Sequence, residues 1–307
     1  MYRSIIAPLD GSTFSERALP LAARLAAQSG ATLQLVRVEA PFVSSNVSVR
    51  EALREAPDPE VQTYLDRIAQ QLTANRELRV ATALLHGPVE DTLTRFVAEQ
   101  QPDLIVMTTH GHSGLARAWI GSIAETLVRR SHIPILLIRP AHDDAPAAAD
   151  LRHIAIPLDG SALSEQVLPV ALALGELTQA SYTLLQVVEP PTAAGAGYAA
   201  LGYRAALELG ELDELRSAAQ QYLDELAQRL RADGRQVQTR VLVHPSIASA
   251  LREDAARHGI DAFAMATHAR AGLARLLIGS TAAAMLHDTA LPALLYRPQE
   301  RQDQERA

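Results

Sequence analysis

At 307 residues, 48% hydrophobic and 21% charged, the chain has room for two domains of about 150 residues each. It has no cysteine, which excludes disulfides and Cys-ligated zinc, and its net charge of −7 argues against a partner bound through general electrostatics, nucleic acid above all. It also has no lysine: all 28 basic residues are Arg, which excludes a Walker A loop, the strand lysine of a protein kinase and Schiff-base chemistry.

The opening MYRSIIAPLD carries one Arg and a short apolar run broken by Pro8 and Asp10, unlike a signal peptide. No stretch reaches the roughly 18 apolar residues of a spanning helix, so a cytoplasmic protein without a membrane partner is expected. Residues 2–9 predict a strand, Asp10-Gly11-Ser12 a loop, and Ser15 to Gln28 an amphipathic helix with Ser15 as its N-cap and Gly30 closing it. Ala31 to Val38 alternates as a second strand. Residues 39–60, with Pro at 41, 57 and 59, predict a surface excursion. A helix follows from Pro59 to Asn75, with Val61, Leu65, Ile68 and Leu72 at helical spacing. Arg79 to Leu85 predicts a strand ending in His86-Gly87-Pro88, and Val89 to Gln100 a helix. Leu104 to Thr108 is a strand without polar alternation, as expected when both faces are buried. A helix over Ser122 to Arg130 and a strand over Ile135 to Ile138 complete the set. Strands alternating with helices imply a doubly wound parallel α/β sheet, on which ligands sit beyond the carboxyl ends of the strands. Pro8, Asp10, Val38, Gly87 and the loop after Thr108 should converge on that edge.

The chain then repeats itself. After the small, Ala-rich linker 141–150, IIAPLDGSTFSERALP at 5–20 returns as IAIPLDGSALSEQVLP at 154–169. Leu104 to Ser122, LIVMTTHGHSGLARAWIGS, returns at Ala262 to Ser280 as AFAMATHARAGLARLLIGS. The extra residues of the second copy lie in the excursion after its second strand, followed by a long helix from about Glu211 to Ala232. Two tandem domains, 1–140 and 151–300, are expected.

A strand that feeds a Gly-containing loop opening into a helix suits a phosphate. Ser122 and Glu125 form an [ST]xxE capping box, which predicts Ser122 as the helix N-cap and is compatible with a phosphate there. Asp10 and Asp159 are Asx-turn residues or carboxylates that accept hydrogen bonds from a ligand. His110 with His112, and His268 in the second copy, are weak as metal ligands, because no third ligand lies nearby; a phosphate- or solvent-facing imidazole is favoured. Arg117 and Arg275 are cations for a polyphosphate or solvated surface groups. With no GxSxG elbow and no HExxH, no catalytic residue is assigned.

Pro-Leu-Asp-Gly-Ser after the first strand, joined to a G-x2-G-x9-G-[ST] type loop, resembles the universal stress protein family in tandem form, once per half. The resemblance implies Rossmann-like, adenine nucleotide alpha hydrolase-like domains with five parallel strands each, binding ATP or AMP, with or without Mg, at the carboxyl edge. It places Pro8, Asp10 and Val38, and in the second half Pro157, Asp159 and Val188, toward the adenosine end. It places the glycine loop and the Gly-Ser, that is Gly111, Gly121 and Ser122 with Gly279 and Ser280, toward the phosphates; Gly87, at the same edge, and His110, Arg117 and His268 are read as further candidates for the same sites. Thr108 stands where the family has its first glycine, and the second half has Ala266 and Ala269 for both loop glycines, so the second site is expected to be the weaker one. Strand three of the second half ends in His244-Pro245, without the counterpart of Gly87. The implied function is nucleotide binding in a stress response, without dedicated catalysis. A slow ATPase or phosphotransfer enzyme and a nucleotide-free interaction module are the alternatives. In single-domain relatives the last strand often pairs in a dimer. Here residues 135–138 and 293–296 are expected to pair within one chain as a pseudo-dimer, with homodimerisation of whole chains as a further expectation.

Overall fold

The computed structural model describes residues 2–40, 59–74, 77–109, 121–139, 150–190, 201–267 and 280–298, with residues 201–209, 280 and 288 as backbone only. The first half runs β1 (Ser4–Pro8), α1 (Thr13–Glu16), α2 (Leu19–Ser29), β2 (Thr32–Glu39), α3 (Pro59–Thr73), β3 (Arg79–His86), α4 (Val89–Gln100), β4 (Leu104–Thr108), α5 (Ser122–Arg130) and β5 (Ile135–Ile138). The second half repeats it as β6 (His153–Pro157), α6 (Ala162–Glu165), α7 (Leu168–Thr178), β7 (Ser181–Val188), α8 (Leu201–Ala232), β8 (Val237–Val243), α9 (Ile247–His258), β9 (Ala262–Ala266), α10 (Ser280–Asp288) and β10 (Ala293–Tyr296).

All ten strands form one sheet in the order β3-β2-β1-β4-β5-β10-β9-β6-β7-β8. Pairing is parallel within each half and antiparallel only where the halves meet, with Leu136 opposite Leu294 and Ile135 opposite Leu295. The last strands therefore cover each other's edges and make the pseudo-dimer. In each half the chain reverses direction across the sheet between its first and fourth strands, which creates a switch point between β1 and β4 and another between β6 and β9.

The period-2 rule divides the sheet into two buried faces. Ile5, Ala7, Leu33 and Leu35 face α2 and α3, while Ile6, Ile105 and Leu137 face α4 and α5. Both apolar layers continue without a break into the second half. Complete burial of a side chain such as Leu33 or Leu35 contributes about 1.5–3 kcal/mol. Polar contacts also bridge the halves. Arg24 Nη1 lies 2.7 Å from Asp150 Oδ1, and Arg139 donates to the carbonyls of Leu286 and His287 in the last turn of α10. No helix among the described residues is long and apolar enough to cross a membrane.

The expected single helix over Ser15 to Gln28 is two helices, and Ser15 is not a cap. Pro20 occupies the first turn of α2; it has no N–H for the Glu16 carbonyl, so the chain restarts its helix at Leu19. Ser12 caps α1 instead, and Ser15 lies inside it. The second half divides in the same way at Pro169. Gly30 closes α2 with φ of 69°. The long helix of the second half begins at Leu201, ten residues before its expected start at Glu211.

Candidate functional site

The carboxyl end of β1 is shaped by a closed set of local hydrogen bonds. Asp10 Oδ1 accepts from the Ser12 N–H at 2.9 Å and from the Ser12 hydroxyl at 2.5 Å. Ser12 Oγ in turn accepts from the Ser15 N–H at 3.2 Å, and the Ser15 hydroxyl donates to the Ser12 carbonyl at 2.9 Å. Gly11 at φ 86° makes the reversal, and the Leu9 N–H donates to the Val36 carbonyl at 2.7 Å, fixing the turn to β2. Asp10 is therefore an Asx-turn residue, and this role accounts for its place beside Gly-Ser. Asp159, Gly160, Ser161 and Ser164 repeat the arrangement, with 3.0 and 2.6 Å bonds to Asp159 Oδ1. Pro8 and Pro157 are the half-buried last residues of β1 and β6.

The neighbouring strand ends differ between the halves. The Gly87 N–H donates to the Glu39 carbonyl at 3.1 Å, and His86 Nδ1 lies 3.3 Å from Glu39 Oε2. Gly87 has φ 138°, and a Cβ there would fall 2.5 Å from the buried Thr92 Oγ1, so the position requires glycine. In the second half the His244 N–H donates to the Val188 carbonyl at 3.1 Å. His244 thus replaces Gly87, and Val188 corresponds to Glu39; by the shared register Val187, not Val188, is the counterpart of Val38. Val38 and Val187 are partly buried against the same apolar layer, and Val188 is buried.

At the end of β4, Thr108 and Thr109 are both buried. The Thr109 N–H donates to the Ile138 carbonyl at 3.0 Å, and the Gly121 N–H donates to the Thr109 carbonyl at 2.7 Å. The glycine loop is thereby pinned at its two ends, directly across the switch point from Asp10. In the second half Ala266 ends β9, and the Thr267 N–H donates to the Tyr296 carbonyl at 2.8 Å. His110, Gly111, Arg117, His268 and Gly279 lie outside the described residues, as do His112, Ala269 and Arg275. Ser280 is the first residue of α10.

The capping-box expectation for Ser122 does not hold. Gly121 is the N-cap of α5, in extended conformation at φ −62° and ψ 148°, and as a glycine it has no side chain with which to cap the helix. Ser122 already belongs to the helix, one position too late for its hydroxyl to turn back on the first amides. The first intrahelical bond is from the Glu125 N–H to the Gly121 carbonyl. The N–H groups of Ser122, Ile123 and Ala124 have no acceptor inside the helix and carry the positive end of its dipole. Asp10 and the start of α5 therefore flank one switch point, while Gly87 stands three strands from β4, roughly 14 Å at ordinary strand spacing.

Two features of this edge were not among the expected site residues. Thr109 anchors both the loop and β5, and its signal was its return as Thr267. Arg37 lies beneath the Asp10 turn; its only signal was a charge on the face of β2 that Leu33 and Leu35 share.

The model of the Usp family (Universal stress protein family) matches residues 1–139 and again 150–297. A universal stress protein of Mycobacterium tuberculosis is 26% identical over 313 residues, covering 95% of this chain and 96% of that one. Another, from Methanocaldococcus jannaschii, is 29% identical over 142 residues, 45% of this chain and 83% of its own length. The crystal structure of a universal stress protein from Archaeoglobus fulgidus shares the fold over 96% of this chain and 98% of its own, with a TM-score of 0.68 at 14% identity. On a family model matched twice, over nearly its whole length, the chain belongs to the universal stress protein family.

Proposed function

We propose that the chain is a stress-response protein that binds an adenine nucleotide, ATP or AMP, at the switch point of its first half, and that it carries no dedicated catalytic apparatus. The observation that supports this reading is the pairing of two complementary features on adjacent strand ends. The Asp10-Gly11-Ser12 turn follows β1, and the start of α5, whose N-cap is a glycine, follows the loop after β4, whose ends are pinned. A nucleotide lying across them would direct its phosphates at the amides of Ser122, Ile123 and Ala124 and its adenosine hydroxyls or amino group toward Asp10. Gly111, His110 and Arg117, with Mg where the ligand is ATP, belong to the same proposed site.

The second half is the weaker site in this reading. It keeps the Asp159 turn, but His244 replaces Gly87, and Ala266 stands at the end of β9 ahead of Ala269. Domains at 1–140 and 151–300 with a linker between them are part of the same proposal.

Titration calorimetry of the full chain with ATP and with AMP tests it, together with mass spectrometry of any nucleotide released from the purified protein. Saturable binding weakened by Asp10→Ala is expected. No binding at millimolar nucleotide would remove the reading. Nucleotide turnover at background is expected alongside; a rate well above it that Asp10→Ala abolishes would replace binding by catalysis.

A further inference from the structure

A guanidinium packs against the glycine of the Asp10 turn, and among the described residues no side chain does so at the corresponding glycine of the other half. Arg37 continues the row of Leu33 and Leu35 on β2, and at the carboxyl end of the strand its guanidinium reaches the turn. A Cβ built on Gly11 would lie 2.7 Å from Arg37 Nη1, 3.1 Å from Cζ and 3.2 Å from Nη2. The guanidinium thus lies against the Gly11 backbone. Arg37 Cζ is also 5.2 Å from the centre of the Tyr64 ring. Burial, with the Glu16 carboxylate beside it, raises the Tyr64 hydroxyl well above its ordinary pKa, so the ring stays neutral and its face stays available to the cation. Arg67 approaches the same ring at 5.4 Å.

The duplication supplies an internal comparison. The Leu9–Val36 and Leu158–Leu185 bonds align Arg37 with Gln186. The second turn has the same hydrogen bonds, and Tyr222 remains, donating to Glu165 at 3.0 Å. But a Cβ on Gly160 would meet nothing within 4 Å. Asp159 and Gly160 are exposed where Asp10 and Gly11 are half-buried. Gln186 Oε1 is buried without a hydrogen-bond partner among the described residues.

We propose that Arg37 is a positioning residue, in contact with both the Tyr64 ring and the Gly11 backbone, that fixes the Asp10-Gly11-Ser12 turn for the adenosine end of the ligand and makes the first half the tighter site. The inference rests on the nucleotide reading above. A turn already ordered before binding does not have to be ordered by the ligand, and that saving appears as affinity. Because Arg37 acts through the turn, its contribution is the same for every ligand sharing the adenosine end, whatever the number of phosphates.

Calorimetry of the wild type, Arg37→Gln and Arg37→Lys with AMP and with ATP tests this. At a temperature where circular dichroism shows each variant folded, a variant that loses only stability keeps its full affinity. Arg37→Gln installs the residue of the second half and should weaken AMP and ATP by the same factor, about fivefold or more. Arg37→Lys keeps the charge but not the planar contact and should fall between. Affinity within about twofold of wild type, with only the melting temperature of the ligand-free chain lowered, would make Arg37 merely structural and overturn the inference. A loss that grows from AMP to ATP would also overturn it, because Arg37 would then touch the phosphates. If the wild type binds neither nucleotide, the nucleotide reading fails and the inference with it; wild-type binding with an unchanged Arg37→Gln removes the inference alone.

Discussion

Gly87 carries a sharp constraint at the edge of the sheet. Its φ of 138° and the 2.5 Å approach of a notional Cβ to Thr92 Oγ1 both act against any side chain. Gly87→Ala should cost about 1–3 kcal/mol in urea unfolding; unchanged stability would mean that β3 and α4 shift at no cost. His153 makes a second residue-scale prediction. Its Nε2 lies 2.7 Å from Thr183 Oγ1, in a cluster where Arg240 pairs with Asp254 at 2.6 Å and His258 Nδ1 lies 3.0 Å from Asp254 Oδ1. Burial, and then Arg240, lowers the His153 pKa below its ordinary value, with Asp261 and the backbone carbonyls near His258 opposing. The folded state therefore binds fewer protons than the unfolded state. The stability involved is fully present above the unfolded value of about 6.5 and is lost as pH falls from there toward the lowered folded value. His153→Gln should flatten the stability profile between pH 7 and about 5; an unaltered slope would assign it to other groups. The His153 environment could not be read from the chain, because Thr183, Arg240 and Asp261 come from distant segments; the Gly87 contact is local, but its closeness depends on the φ of 138° that the turn into α4 imposes.

Helix starts show where a motif falls one residue short of a geometry. Ser12, Ser15 and Ser122 all precede or open helical runs, and the pattern pointed to Ser15 and Ser122. The caps are Ser12 and Gly121. For α1 the deciding fact is Pro20, which sits in the first turn of α2 and breaks the run that made Ser15 look terminal. For α5 it is the Gly121–Thr109 bond, which holds residue 121 extended and leaves Ser122 inside the helix. Ser12→Ala should thus cost about 0.5–2 kcal/mol, while Ser122→Ala stays within roughly 0.5 kcal/mol. Equal losses by thermal unfolding would restore the capping role of Ser122. The strands were far more legible, since the central ones carry apolar runs, as at Leu104–Thr108 and Ile135–Ile138, and alternate residues meet different helical layers.

At the scale of the molecule, the duplication made the fold legible and showed part of where the halves diverge. The antiparallel β5–β10 pair joins two five-stranded sheets into one, and both apolar layers cross the seam. Leu136 and Leu294 face each other there, fully buried. Leu294→Ala should cost about 2–5 kcal/mol and lower the stability of both halves together, with a single unfolding transition by circular dichroism. Two separated transitions would show that the halves are only loosely coupled. The divergence lies at the carboxyl edge, where Gly87 is met by His244 and Arg37 by Gln186, beneath turns that remain alike. Repeat comparison exposed the first of these changes, but it could not show that Arg37 touches the turn, since that contact runs from β2 to a glycine 26 residues earlier. Nucleotide binding at the Asp10 turn is decided by calorimetric titration of the whole chain with ATP, beside Asp10→Ala: saturable binding in the wild type and marked weakening in the variant are expected, and no binding at millimolar ATP, or binding indifferent to Asp10, would rule it out.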